Sequence, residues 1–207
     1  EASKHPEKAE AAADRLGKLT PGAGHLVHMP AHTYWRVGRY HDAAEANVLA
    51  ARVDESYIAQ CNAQGFYPAL YYPHNIHFLW SAASMEGRSA VALASSRKLA
   101  EKVSVDQIKQ FKVIEAFHTV PLVSMVQFAK WDEILAAPKP LDEFDYSNAI
   151  WHYARGIAYS AKQQPEQAAQ EQQALVKLKH TPSIQFLDDH SQPASQLLEI
   201  ADQLLLG

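Results

Sequence analysis

The sequence predicts an all-α protein, and two observations support this prediction. Apolar residues recur at three- and four-residue spacing along nearly the whole chain, while the alternation typical of strands is hard to find. Only 8 of the 207 residues are glycine, which suits helices joined by short turns. Turn residues separate five segments with the pattern of amphipathic helices: 7–19, 42–53, 89–103, 167–178 and 194–206.

Composition and charge exclude several classes of protein. A chain of 207 residues supports one globular core or one short repeat array, so a large multidomain enzyme is excluded. The net charge is −4 and the basic residues form no run, which argues against nucleic-acid binding. No apolar stretch approaches the roughly 18 to 20 residues of a membrane helix, so we expect no membrane association. Cys61 is the only cysteine, so no intrachain disulfide can form.

A turn motif recurs along the chain. The segment 38–43 (GRYHDA) has a glycine, an aromatic residue two positions later and then small residues, and the same frame fits segments that begin at Gly87, Ala129 and Gln163. Ala129 and Gln163 are 34 residues apart, which equals the tetratricopeptide (TPR) period of about 34 residues. The two earlier spacings are longer, so we expect an insertion at 56–72 and a longer helix or loop around 103–114.

These motifs resemble those of TPR proteins, and the resemblance covers nearly the whole chain. It implies a TPR-like α-solenoid of antiparallel helix pairs that forms a single repeat domain over residues 1–207. The expected parts are a half repeat at 4–21, repeats at about 23–55, 73–103, 115–137 and 149–180, and a C-terminal capping helix at 193–206. The start inside a repeat predicts a C-terminal portion of a longer protein. We expect that protein to be cytoplasmic. Secretion stays an alternative, because the N-terminal part of the longer protein is not in this sequence.

The histidines are the most informative residues, because 11 are present. His25, His28 and His32 are spaced at i, i+3 and i+7, which places them on one face of a helix. His74 and His77 occupy the positions equivalent to His25 and His28 when the chain is aligned on its turn glycines. In TPR proteins such positions on the first helix of a repeat point into a concave groove. We therefore expect these five histidines to face one another across consecutive repeats.

Three interpretations of the histidines compete at this point. They are inert polar residues copied by duplication, or ligands of a transition metal such as Zn or Cu, or a clamp for an anionic ligand together with Arg36. No carboxylate lies within either HxxH, so the HExxH arrangement of metalloproteases is absent. The two functions considered are a TPR-type binding module and a metal-dependent enzyme of hydrolase or oxidase type.

The remaining candidate residues are assigned to the groove by their positions in the repeat frame. They are Trp35, Arg36, Tyr72, Glu115, His118 and His152. The expected occupant of the groove is a peptide, a protein segment or a small ligand. Pro30 and Pro121 both fall in the middle of a first helix, so each helix either starts at its proline or is kinked there.

The run His28-Met-Pro-Ala-His32, with the aromatic segments at 65–68 and 71–80, resembles a largely uncharacterised branch of bacterial TPR-repeat proteins with an HMP-small-H motif. That branch is usually longer, with further repeats before this point, and the resemblance implies no particular activity. A solenoid end without its neighbouring repeat exposes apolar surface. We therefore predict a face of the helix at 7–19 that favours pairing with a second copy of the chain.

Overall fold

The computed structural model describes residues 3–63, 65–190 and 192–207. Within these residues about 80% are helical and no strand occurs, which confirms the predicted all-α class. The α-helices are, in chain order, α1 (Glu10–Leu19), α2 (Gly24–His28), α3 (Pro30–Arg36), α4 (Tyr40–Cys61), α5 (Tyr72–Met85), α6 (Ser89–Lys102), α7 (Val105–Gln110), α8 (Ala116–Gln127), α9 (Trp131–Ala136), α10 (Asp145–Ala161), α11 (Pro165–Leu178), α12 (Pro182–Asp189) and α13 (Ala194–Leu206). Short 3-10 turns span Pro6–Ala9 and Lys112–Glu115, and a π turn spans Tyr67–Tyr71.

The chain divides into two compact units, Glu1–Val103 and Ser104–Gly207. The first contains α1 to α6 and the second contains α7 to α13, and each is described by itself. In the first unit α4 packs against α2, α3 and α5, and α5 packs against α6. In the second unit α10 packs against α8, α9, α11 and α13. The single repeat domain with the bounds given above stays a prediction.

Four turns occur at the positions that the sequence motif aligned. Gly38, Gly87, Ala129 and Gln163 all have positive φ, at 82°, 70°, 55° and 59°. Each lies between two helices that contact each other: α3 and α4, α5 and α6, α8 and α9, α10 and α11. Glycine adopts this conformation easily, whereas alanine or glutamine in it costs about 1 kcal/mol.

We therefore expect Gln163→Gly to raise the free energy of unfolding by about 0.5 to 1 kcal/mol, since it removes this strain at an exposed position. The matched control is Gln173→Gly, at an exposed position inside α11. There glycine should lower stability by about 1 kcal/mol, because it loses more backbone freedom on folding than glutamine. Urea unfolding of both variants gives the two values, and equal signs would contradict the prediction.

The expected insertion at 56–72 is mostly helical in the described residues. Helix α4 continues to Cys61, Asn62 ends it with φ of 45°, and the π turn leads directly into α5. Gln64 of this predicted insertion lies outside the described residues.

The two prolines that fall within first helices differ in their effect on those helices. Pro30 begins α3 while Met29 before it keeps helical torsion angles, and Pro121 lies inside the uninterrupted helix α8.

Small residues form much of the core of the first unit. Ala13, Ala31, Ala43, Ala44 and Ala82 are buried together with Tyr34, and they allow the helices to approach closely. The expectation that the 7–19 helix keeps an exposed face is consistent with Leu19, which is 73% exposed, whereas pairing of two copies stays a prediction. No helix in the described part of the chain is both long and apolar enough to span a bilayer.

Candidate metal centre

Three histidines from different helices converge in the first unit. His28 ends α2, His32 lies in α3 and His74 lies in the first turn of α5. The Nε2 atom of His28 lies 2.9 Å from Nε2 of His32 and 3.1 Å from Nε2 of His74. One ligand atom from each of the three rings can be chosen so that all lie within 4.8 Å of one another. We refer to these three residues as the histidine trio.

The local fold explains why the trio meets. His28 and His32 are four residues apart, and helical torsion angles at Met29 keep their side chains on the same side despite the proline that follows. Helix α2 contacts both α4 and α5, so His74 at the start of α5 reaches His28 from the opposite side. The segment between α4 and α5 therefore does not separate the two HxxH segments.

Asn47 of α4 determines which ring nitrogen of His28 carries the hydrogen. Its Oδ1 lies 2.7 Å from Nδ1 of His28, while its Nδ2 donates to the carbonyl of Ala43 at 2.7 Å. Since the amide nitrogen is engaged by a carbonyl, the oxygen must accept, and Nδ1 of His28 is the donor. The Nε2 atom then carries the lone pair that faces His32 and His74.

Burial keeps the His28 ring neutral. The side chain is fully buried, and this burial lowers the pKa of His28 to about 3. The hydrogen bond with Asn47 acts in the opposite direction, and the neighbouring imidazoles lower the pKa further. A neutral imidazole with its Nε2 lone pair directed at two other imidazoles is the form in which histidine binds metal ions.

The trio has more close approaches to Nε2 of His28 than one hydrogen-bond acceptor can accommodate. A single in-plane lone pair on Nε2 of His28 accepts one well-aligned hydrogen bond, yet two ring nitrogens approach it within 3.1 Å. Two nitrogens bound tetrahedrally to one Zn at 2.0 to 2.1 Å are about 3.3 Å apart. The observed separations of 2.9 and 3.1 Å lie close to that value.

Phe78 closes one side of the trio. Its ring centroid lies 5.0 Å from that of His28, 4.4 Å from that of His32 and 5.4 Å from that of His74. A phenyl ring offers no ligand atom, and it excludes water from the nitrogens that it covers. The site is therefore dry on the side of Phe78.

The other two predicted ligands lie outside the trio. His25 stands beside it on α2, with its ring centroid 5.5 Å from that of His28. His77 stacks on Trp80 with a centroid distance of 5.2 Å and an interplanar angle of 18°. Burial, and to a smaller degree the charge of His74, lowers the pKa of His77 to about 4. The structure thus brings three of the five predicted histidines to within ligand distance of one another.

The groove candidates of the first unit are held by neighbouring residues. The indole nitrogen of Trp35 donates to Ser81 Oγ at 3.1 Å, and the Tyr72 hydroxyl, which is buried, donates to Glu55 Oε1 at 2.7 Å. Arg36 donates to the carbonyl of Ser3 at 2.7 Å. Together with His32 and the basic residues His5 and Lys8, it lines a surface cleft of about 230 Å³.

The groove candidates of the second unit form separate local contacts. Glu115 is buried and accepts the backbone N–H of Ser147 at 2.8 Å, and burial raises its pKa. His152 Nδ1 lies 2.6 Å from Glu171, which also accepts from Arg155 at 2.7 Å. His118 is half-buried in α8. The partners of Glu115 and His152 indicate roles in holding the helices of this unit together.

Sequence reasoning missed the parts played by Asn47 and Phe78. Asn47 follows the small residues of the turn motif in α4, and a polar residue at such a position signals a hydrogen-bonded partner. Phe78 carries no signal of its own, because one aromatic residue in an apolar helix most often belongs to the core.

The fold and the site define an all-helical protein with a three-histidine cluster in which His28 is buried and the other two rings are half-buried. Comparisons with protein-family models, with curated proteins and with solved structures found no match to this chain. The resemblance to TPR proteins therefore stays an expectation that rests on the motifs, and the chemistry of the trio carries the functional argument.

The role of Asn47 leads to a prediction. We expect Asn47→Leu to weaken any metal binding by the trio about 10- to 100-fold, because it removes the acceptor that orients the His28 ring. The buried Nδ1–H of His28 then lacks its partner, which should lower the free energy of unfolding by about 1 to 3 kcal/mol. Calorimetric metal titration and urea unfolding measure the two effects. Unchanged metal affinity in a folded Asn47→Leu protein would contradict the assigned role.

Proposed function

We propose that this protein binds a single transition metal ion, Zn or Cu, through His28, His32 and His74. The observation that supports the proposal is the approach of two imidazole nitrogens to Nε2 of a buried, neutral His28 whose tautomer is set by Asn47. Metal ligation satisfies all three rings at once, whereas hydrogen bonding satisfies one approach to that lone pair.

The ligand set favours this class of metal. Neutral imidazoles suit Zn and Cu, whereas Mg and Ca require carboxylate and carbonyl oxygens. The trio contains no carboxylate. Asp54, a buried carboxylate of the same unit, is engaged by the Tyr67 hydroxyl at 2.8 Å and by Asn75 Nδ2 at 2.7 Å.

We further propose that the metal lies in a TPR-like solenoid, between the first helices of two consecutive repeats. The positive φ at Gly38 and Gly87 and the packing of α3 on α4 and of α5 on α6 support this arrangement. The function that follows is a helical binding module whose metal joins two repeats. If the protein binds no metal, the alternative function is a groove that binds a peptide or an organic ligand.

The test is calorimetric titration of Zn and Cu into protein made without a histidine tag and stripped with a chelator. We expect one ion per chain, and a loss of affinity of more than about 100-fold in both His32→Ala and His74→Ala. The control is His41→Ala in the same unit, because the His41 side chain is 68% exposed and its Nδ1 pairs with Glu86 Oε1 at 3.4 Å. Absence of Zn and Cu binding by the unaltered protein would contradict the proposal, and so would full binding by His74→Ala.

Metal removal gives an independent readout. A ligand that binds only the folded protein at 100 times its Kd stabilises it by about 2.7 kcal/mol. We therefore expect the unfolding transition of the metal-loaded protein to move to lower urea concentration when a chelator is added. The His74→Ala protein should show no such change, and a chelator effect of equal size in that variant would point to binding elsewhere.

A further inference from the structure

We infer that His25 is the fourth ligand of this metal, so that four imidazoles close its coordination sphere. The inference rests on the proposed function, and it goes beyond it by assigning the kind of site. Closed four-ligand zinc sites are structural, while catalytic sites keep one position for water or substrate. The assignment therefore separates a metal-stabilised binding module from a metal-dependent enzyme.

The position of His25 supports the inference. It lies on α2, one turn before His28, and its ring centroid is 5.5 Å from that of His28 and 6.5 Å from that of His74. Centroid separations within the trio are 4.6, 4.7 and 5.7 Å. Four imidazoles bound tetrahedrally at 2.0 to 2.1 Å have ring centroids about 5 Å apart. Coordination by His25 therefore requires its ring to shift toward the trio, and a rotation of its side chain would supply that shift.

The chemistry of His25 points the same way. Among the described residues, its Nδ1 atom is buried and has no hydrogen-bond partner. A buried polar atom without a partner costs about 1 to 3 kcal/mol, so such atoms call for an explanation. Coordination of a metal through this ring supplies one. Tyr71 packs edge-on against the His25 ring at 4.6 Å and limits how far it can turn away from the trio.

The surroundings leave His25 as the best candidate for the fourth position. Phe78 covers the trio on another side and cannot act as a ligand. His77 is stacked on Trp80. Asp54 is held by two hydrogen bonds, and its carboxylate lies directly against Gly24. Among the described titratable residues near the trio, only His25 has a ring beside the trio and a buried ring nitrogen without a hydrogen-bond partner.

Cobalt(II) provides the test, because a tetrahedral Co site absorbs strongly in the visible range and its spectrum changes when an added anion binds the metal. With His25 as a ligand, azide should leave the spectrum of the unaltered Co protein unchanged. His25→Ala should still bind Co, with affinity lowered at least about tenfold, and azide should now shift its spectrum. His77→Ala, the equivalent position of the second HxxH, should behave like the unaltered protein. His25→Gln keeps most of the side-chain volume and should give the same azide response, which guards against an effect of misfolding.

The outcomes separate the two proposals. If the unaltered protein binds none of Zn, Cu and Co, the proposed function fails and the inference fails with it. If it binds Co in a manner that depends on His74, but azide shifts its spectrum as in His25→Ala, the fourth position is open to solvent and only the assignment of His25 is overturned. Unchanged Co affinity in a folded His25→Ala protein overturns that assignment as well.

Discussion

Gly24→Ala should lower the free energy of unfolding of the first unit by about 3 kcal/mol. A Cβ atom at this position would lie 1.9 Å from Oδ1 and 2.5 Å from Cγ of Asp54, and 3.0 Å from the carbonyl oxygen of Ala50. Asp54 cannot turn away cheaply, because Tyr67 and Asn75 hold its two oxygens at 2.8 and 2.7 Å. The start of α2 must therefore move away from α4.

The same substitution should weaken metal binding, because Gly24 begins the helix that carries His25 and His28. Urea unfolding and Zn titration of one preparation measure both effects. Gly22→Ala is the matched control, since a Cβ there meets nothing within 4 Å, and it should change stability by no more than about 0.5 kcal/mol. Equal stability of the two variants would show that α4 yields to the added methyl group.

The parts of the fold that could be predicted from the sequence depend on local patterns. The helix predicted at 194–206 matches α13, and the one at 89–103 matches α6 within one residue. Gly38, Gly87, Ala129 and Gln163 were aligned by a turn motif, and all four have positive φ. Helix periodicity and turn chemistry are encoded by residues close in the chain, so a single sequence reveals them.

Which histidines form the trio depends on tertiary packing, which the sequence could not reveal. His74 and His77 have the same spacing as His25 and His28, yet His74 joins the trio while His77 stacks on Trp80. The difference depends on how α5 packs against its neighbours α2, α4 and α6. The role of Asn47 is equally non-local, because 19 residues separate it from His28.

Lys179→Met should lower the free energy of unfolding by about 3 kcal/mol at pH 7, because it leaves the carboxylate of Asp202 buried without its charge partner. Lys179 follows α11, and its Nζ lies 2.6 Å from Asp202 Oδ2 and 2.5 Å from Glu199 Oε2, both on α13. Lys179 and Asp202 are 7% and 5% exposed. The pair thus attaches the predicted capping helix to the second unit. The double variant Lys179→Met with Asp202→Leu should be more stable than the single variant, since no buried unpaired charge remains and Glu199 is 53% exposed.

The loss in Lys179→Met should also depend on pH. Burial by itself raises the pKa of Asp202, but the bonds from Lys179 and Gln172 outweigh it and the net pKa is lowered. A carboxyl group whose pKa is lower in the folded state contributes stability above its unfolded value of about 3.9, and this contribution is lost as the pH falls through the folded pKa. Without Lys179 only Gln172 opposes the effect of burial, so the pKa of Asp202 should rise. Acid then protonates Asp202 and stabilises the variant relative to neutral pH, while it weakens the unaltered protein. The stability difference between the two proteins should therefore be smaller at pH 3.5 than at pH 7 in urea unfolding. An equal difference at the two pH values would show that the lost contribution is packing of the lysine side chain and not its charge.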